Sequence, residues 1–170
     1  ERSPKQALEI VGKETMIQST AGRLTRKVDP RSLFIVTNRM QRSLIVKQLP
    51  YLPDENIIDE PVGRNTAPCI GLAALHIRRI DPTAVMVVLP ADHVIQNDDE
   101  FLRILDIAIA TAAESGSLLT IGIHPRHPET GYGYIQIFTE EGPHNPYAAR
   151  GVMKVKTFAE KPNLQTAQRF

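Results

Sequence analysis

From Asp59 to Pro68 the chain reads Asp-Glu-Pro-Val-Gly-Arg-Asn-Thr-Ala-Pro, a run of charged and hydrogen-bonding groups between the apolar strand end Ile57-Ile58 and a helical stretch. An open α/β sheet places its ligand at such a strand-to-helix turn. Gly63 allows a backbone shape that other residues resist, and Pro68 suits the first helical turn, where its missing N–H costs nothing. The same residues also admit a plain reading, with Arg64 in a structural ion pair and Asn65 or Thr66 as helix cap. Asp92 lies in Pro90-Ala91-Asp92-His93, which breaks out at the carboxyl end of the apolar run Val85 to Leu89. A carboxylate there can hold Mg²⁺ between phosphate oxygens. Alternatively, it caps the turn or the following helix.

Gly131, Tyr132 and Gly133 make a tight approach where a sugar could lie against bare backbone, although a hairpin or bulge uses glycine in the same way. Glu160 and Lys161 stand at the end of a strand, functional or merely exposed. Lys5, in Pro4-Lys5-Gln6, is a flexible point charge of the kind that suits phosphate, or else a solvent-exposed terminal lysine. The histidines point away from a zinc site: His124 and His127 are separated by Pro125, and His76, His93 and His144 show no ligand spacing. There is no GxSxG elbow, and the single cysteine, Cys69, falls in an apolar helical stretch as a small core residue. Covalent catalysis is not indicated.

The elements that must position these groups alternate. Leu33 to Thr37 is a short apolar strand, followed by Asn38 as N-cap and a helix carrying Ile45, Val46 and Leu49. Ile57-Ile58 leads to a helix from about Ala67 to Ile80, and Val85 to Leu89 to one from about Asp98 to Glu114. In the latter, Phe101, Leu105, Ala108, Ile109 and Ala112 draw one apolar face. Leu118 to Ile123 adds a strand. Continuous apolar strands between amphipathic helices argue for a mainly parallel sheet with helices on both faces. After Ile123 the pattern changes: Tyr132 to Phe138 and Val152 to Phe158 alternate as half-buried strands do, apart from the parallel core or on its edge. Asn163 can cap a last helix from Leu164.

With 170 residues, 42% hydrophobic and 23% charged, the chain suits one soluble domain, residues 1–170. Its net charge is +1 with scattered basic residues, so nucleic acid is a poor partner. No run approaches the roughly 18 apolar residues that span a bilayer, and no signal core opens the chain, so no membrane association is expected. One cysteine fits a reducing, cytoplasmic setting.

The block Glu60-Pro61-Val62-Gly63-Arg64-Asn65-Thr66-Ala67-Pro68 resembles the EPxGRNTAP motif of mannose-1-phosphate guanylyltransferases. The resemblance continues through Leu89-Pro90-Ala91-Asp92-His93 and Glu129-Thr130-Gly131-Tyr132-Gly133-Tyr134-Ile135 to Phe158-Ala159-Glu160-Lys161-Pro162. It implies an α/β, Rossmann-like fold of the nucleotide-diphospho-sugar transferase type, incomplete at both termini, and formation of GDP-mannose and pyrophosphate from GTP and mannose 1-phosphate. By the same resemblance Glu60, Pro61, Gly63, Arg64, Asn65, Thr66 and Ala67 line the guanine and ribose pocket, and Asp92 binds the Mg²⁺ that bridges nucleotide and sugar phosphate. Gly131, Tyr132, Gly133 and Glu160 contact the sugar, while Lys5 and Lys161 reach phosphate. The family's Gly-rich phosphate loop is expected just before Glu1 and its second metal aspartate beyond Phe170, so this chain alone should turn over little or nothing. Two alternatives remain, a nucleotidyltransferase for another sugar phosphate and a non-catalytic nucleotide-binding module of the same fold. Oligomeric state is open, a homo-oligomer included.

Overall fold

Helix α1 (Met16–Leu24) begins at a capping box in which Thr15 Oγ1 accepts from the Gln18 N–H at 3.4 Å and Gln18 Oε1 from the Thr15 N–H at 3.0 Å. This helix was not read from the sequence, although Thr15-x-x-Gln18 ahead of Ile17, Ala21 and Leu24 is a start signal. The computed structural model describes residues 14–138 and 144–169, and the chain divides into two units, Glu1–Arg103 and Ile104–Phe170.

In the first unit, β1 (Ile35–Asn38) and β2 (Ile57–Glu60) pair in parallel, with Ile35 opposite Ile57 and Asn38 opposite Glu60. The crossover between them is α2 (Arg39–Gln48), capped as expected: Asn38 Oδ1 accepts from the Gln41 N–H at 3.0 Å. Ile45 and Leu49 close over β2 and α1, and with Ile17, Ala21, Leu33, Leu52 and Ile57 they form the buried core. Asn56, buried just before β2, donates from Nδ2 to the carbonyls of Leu33 and Arg31, both at 2.9 Å. That bond joins the entries of the two strands. Helix α3 (Thr66–Ile80) follows β2, with Pro68 inside its first turn as expected.

Helix α4 (Asp98–Ser115) opens with three acidic residues, which favour a helix N-terminus. Asn97 Oδ1 accepts from the Glu100 N–H at 3.1 Å, and Asp98 and Asp99 pair with Arg23 and Arg26 of α1. Arg23 is almost fully buried there and lies over the Phe101 ring at 5.7 Å.

The expected strand Val85 to Leu89 joins no ladder; Val85, Val87 and Val88 are exposed. Leu118 to Ile123 behaves likewise, with Leu118 and Ile123 exposed. Apolar, β-branched composition marks a segment able to pair, but a ladder also needs a partner backbone about 4.8 Å away. Among the described residues neither segment has one.

In the second unit, β3 (Tyr134–Ile137) and β4 (Val155–Ala159) pair antiparallel, Tyr134 opposite Ala159, with an irregularity between Gln136 and Ile137. The two alternating runs are thus partners of each other. Tyr134 is buried, and its hydroxyl accepts from the Glu129 N–H at 2.7 Å, which ties the preceding loop to the sheet. Helix α5 (Leu164–Ala167) starts at Asn163, whose Oδ1 accepts from the Thr166 N–H at 2.9 Å. Among the described residues no helix is long and apolar enough to cross a membrane.

Candidate functional site

The turn after β2 departs from the sequence reading in where it bends. Gly63 has no positive φ, and a Cβ built on it would meet only open space. The unusual backbone is at Asn65, with φ 67° and ψ −169°, a combination that costs a non-glycine residue ~1–3 kcal/mol. Asn65 occupies the N-cap position of α3 but makes no side-chain capping bond, so it is not the cap that the plain reading offered. Glu60 is half-buried at the end of β2, whereas Pro61, Gly63, Arg64, Asn65, Thr66 and Ala67 are exposed to solvent. Glycine escapes this penalty, so Asn65→Gly should stabilise the fold by about 1 kcal/mol and Asn65→Ala should not. Urea unfolding followed by far-UV circular dichroism reads both; equal effects of the two variants would show an unstrained residue.

Two neighbours shape this turn. Cys69, expected in the core, is half-buried on α3, because that helix has no fully buried residue; burial and then the charge of Glu60 push its thiol pKa up. Arg42 was not singled out from the sequence. It reaches from α2, donating from Nη2 to the Asp54 carbonyl at 2.9 Å and from Nη1 to the Ile57 carbonyl and to Asp59 Oδ1, the latter at 3.2 Å. The hydrogen bond to Asp59 raises the Arg42 pKa above its ordinary value. Arginine alone carries a planar fork able to serve carbonyls and carboxylates together.

Asp92 sits in a turn, half-buried, directly after Ala91, which packs against the core. The carboxylate is therefore carried on an anchored segment. Among the described residues no three His, Cys, Asp or Glu side chains cluster closely enough to hold a metal ion alone. Magnesium is commonly held by one or two carboxylates, with phosphate oxygens and water completing its six ligands. One anchored carboxylate fits that donor set. Beside this segment a groove of about 380 Å³ is lined by Glu14, Ser19, Arg23, Arg26, Ile95 and Asp98. Its arginines are paired with Asp98 and Asp99, which leaves it close to charge balance.

In the second unit the structure brings Gly133, Glu160 and Lys161 together. A Cβ built on Gly133 would lie 2.9 Å from Glu160 Oε2, so the bare backbone makes room for that carboxylate. Gly131, by contrast, borders open space, and Tyr132 is exposed. Lys161 has φ 42°, and its Nζ lies 3.7 Å from Glu160 Oε1. A carboxylate and an ammonium side by side at a strand end can accept from sugar hydroxyls and face a phosphate. Because Glu160 is an exposed, flexible side chain, Gly133→Ala should change stability by less than about 0.5 kcal/mol. If this corner seats a sugar phosphate, as the resemblance in the sequence implies, the substitution should instead turn the carboxylate away and raise KM for that ligand ~10-fold in the complete protein; an unchanged KM would separate Glu160 from the sugar. Lys5 lies outside the described residues.

The nucleotidyl transferase family model matches residues 1–170. The chain belongs to that family. A mannose-1-phosphate guanylyltransferase of Escherichia coli is 42% identical over 174 residues, covering 100% of this chain and 36% of that protein. Among solved structures, one described as mannose-1-phosphate geranyltransferase from Thermus thermophilus matches with a TM-score of 0.78 at 28% identity, over 98% of this chain and 46% of that one. Another, described as mannose-6-phosphate isomerase from Helicobacter pylori, matches with a TM-score of 0.75 at 27% identity, over 98% of this chain and 59% of that one. This nucleotidyl transferase chain spans about a third of the length of the curated relatives it matches. Its helices and parallel β1–β2 pair are of the α/β class that the sequence indicated.

Proposed function

We propose that this chain supplies the nucleotide and sugar-phosphate turns of a mannose-1-phosphate guanylyltransferase, which forms GDP-mannose and pyrophosphate from GTP and mannose 1-phosphate. The observation that carries the reading is the 42% identity to the Escherichia coli enzyme over the whole chain, a span that contains Glu60, Asp92, Gly133 and Glu160. In this reaction an oxygen of the sugar phosphate attacks the α-phosphorus of GTP in line, and pyrophosphate departs. No covalent enzyme intermediate is needed, so the protein's part is positioning and charge stabilisation.

Each candidate group then has one task. Glu60 and the carbonyls of the turn accept from the N1–H and N2–H edge of guanine, while turn amides and Asn65 serve O6 or N7 and the residues up to Ala67 border the ribose. Asp92 holds Mg²⁺, which when bound neutralises charge developing on the phosphate oxygens. Gly133 and Glu160 seat the mannose hydroxyls, with Gly131 and Tyr132 along the same loop. Lys161 faces the phosphate of the acceptor, and Lys5 the nucleotide phosphates. The partners proposed are these two small molecules, with no nucleic acid or membrane, and the setting is cytoplasmic.

A competition assay on the complete protein tests the reading, offering four nucleoside triphosphates and several hexose 1-phosphates. The highest kcat/KM is expected for GTP with mannose 1-phosphate. A higher value for another pair would move the protein to a sister activity on the same fold.

A further inference from the structure

We infer that Arg42 is the positioning residue of the strand-to-helix turn, setting the path of the backbone from Asp59 to Asn65 without touching substrate. The inference deepens the reading of that turn as the nucleoside site and rests on it for its link to function. The guanidinium spans three residues of one stretch: Nη2 meets Asp54 at its carbonyl, 2.9 Å, and at Oδ2, 2.7 Å, while Nη1 meets the Ile57 carbonyl and Asp59 Oδ1. Both side chains of the Arg42–Asp59 pair are largely shielded, 26% and 30% exposed, so this contact is less screened than a surface pair. The helix that presents Arg42 is itself held, by the Asn38 cap at one end and by Ile45 and Leu49 in the core.

Beyond Glu60, which pairs with Asn38 in the last rung of the sheet, the chain leaves the ladder. Pro61 to Asn65 are exposed, yet Asn65 holds an unfavourable backbone angle. Strained backbone persists only where its surroundings over-determine it. The entry to this turn is fixed through Asp59, and Arg42 is what grips Asp59 from α2. A lysine, with one compact ammonium, cannot serve carbonyls and two carboxylates in one plane.

The test compares, in the complete protein, wild type, Arg42→Lys, Arg42→Met and Arg103→Met, the last removing an exposed arginine paired with Glu100 on α4. Hydrogen exchange and calorimetric titrations with GTP and with ATP are measured on each. Arg42→Met should speed exchange of the hydrogen-bonded amides that flank the turn, in β2 and at residues 69–72, at least ~10-fold while α1 and the β3–β4 pair keep wild-type rates, with Arg42→Lys between and Arg103→Met unchanged. The preference for GTP over ATP should fall ~10-fold with it, which a loss of general stability would not produce. Unchanged exchange at these flanking amides, a uniform rise across the chain, or an unaltered nucleotide preference in a protein that binds both would overturn the inference. A local rise in a wild-type background that binds neither nucleotide would instead keep Arg42 as the positioner and remove the nucleoside reading of the turn.

Discussion

Asp92→Asn in the complete protein is expected to lower kcat ~10²–10³-fold, the loss that follows when several kcal/mol of charge stabilisation at transferring phosphates is removed. The substitution keeps size and shape, removes the negative charge and turns one acceptor oxygen into an amide donor. Asp92 is half-buried, and Ala91 beside it packs on the core, so asparagine should hold the same place. Two readouts separate a metal role from a structural one. Affinity for GTP without Mg²⁺ should stay within about twofold of wild type, whereas the gain in affinity on adding Mg²⁺ should vanish. A variant with kcat within about twofold of wild type would refute the metal role, and Asp92 would then be a turn residue.

Leu49→Ala is expected to destabilise the chain by ~2–5 kcal/mol. Leu49 is 1% exposed and packs with Ile17, Ala21, Ile45, Leu52 and Ile57 where α1, α2 and β2 meet. A cavity there cannot be refilled without moving the helix that carries Arg42 or the strand that ends at Glu60. Urea unfolding by far-UV circular dichroism measures the loss, since the chain has no tryptophan. A change below about 1 kcal/mol would mean that the site collapses freely and that the turn does not depend on this core.

Much of the local structure was legible because it rests on short-range chemistry. Asn38 and Asn163 cap the helices that follow them, as their side chains predict, and Pro68 falls in the first turn of α3. The alternation in 132–138 and 152–158 announced two strands, although β4 is exposed from Val155 to Phe158 rather than half-buried. Helix α1 was overlooked despite its capping box, because polar Thr20 and Arg23 share its buried face with Ile17 and Ala21 and interrupt the apolar stripe. The candidate site was legible as blocks of residue types, and less so as geometry. Gly63 looked like the residue that permits the bend, yet the strained angle is at Asn65, because glycine permits unusual dihedrals without requiring them.

By itself, then, the sequence determined the α/β class, the capped helices, the β-capable runs and the charged and hydrogen-bonding groups that the turns carry, since propensity, capping and residue chemistry act within a few positions of the chain. Only the tertiary structure decided which runs pair, that Arg42 grips Ile57 and Asp59 from another element, and that Gly133 makes room for Glu160. Those are contacts between residues far apart in sequence, set by which backbones and side chains meet once apolar surface is buried, and no local pattern encodes them.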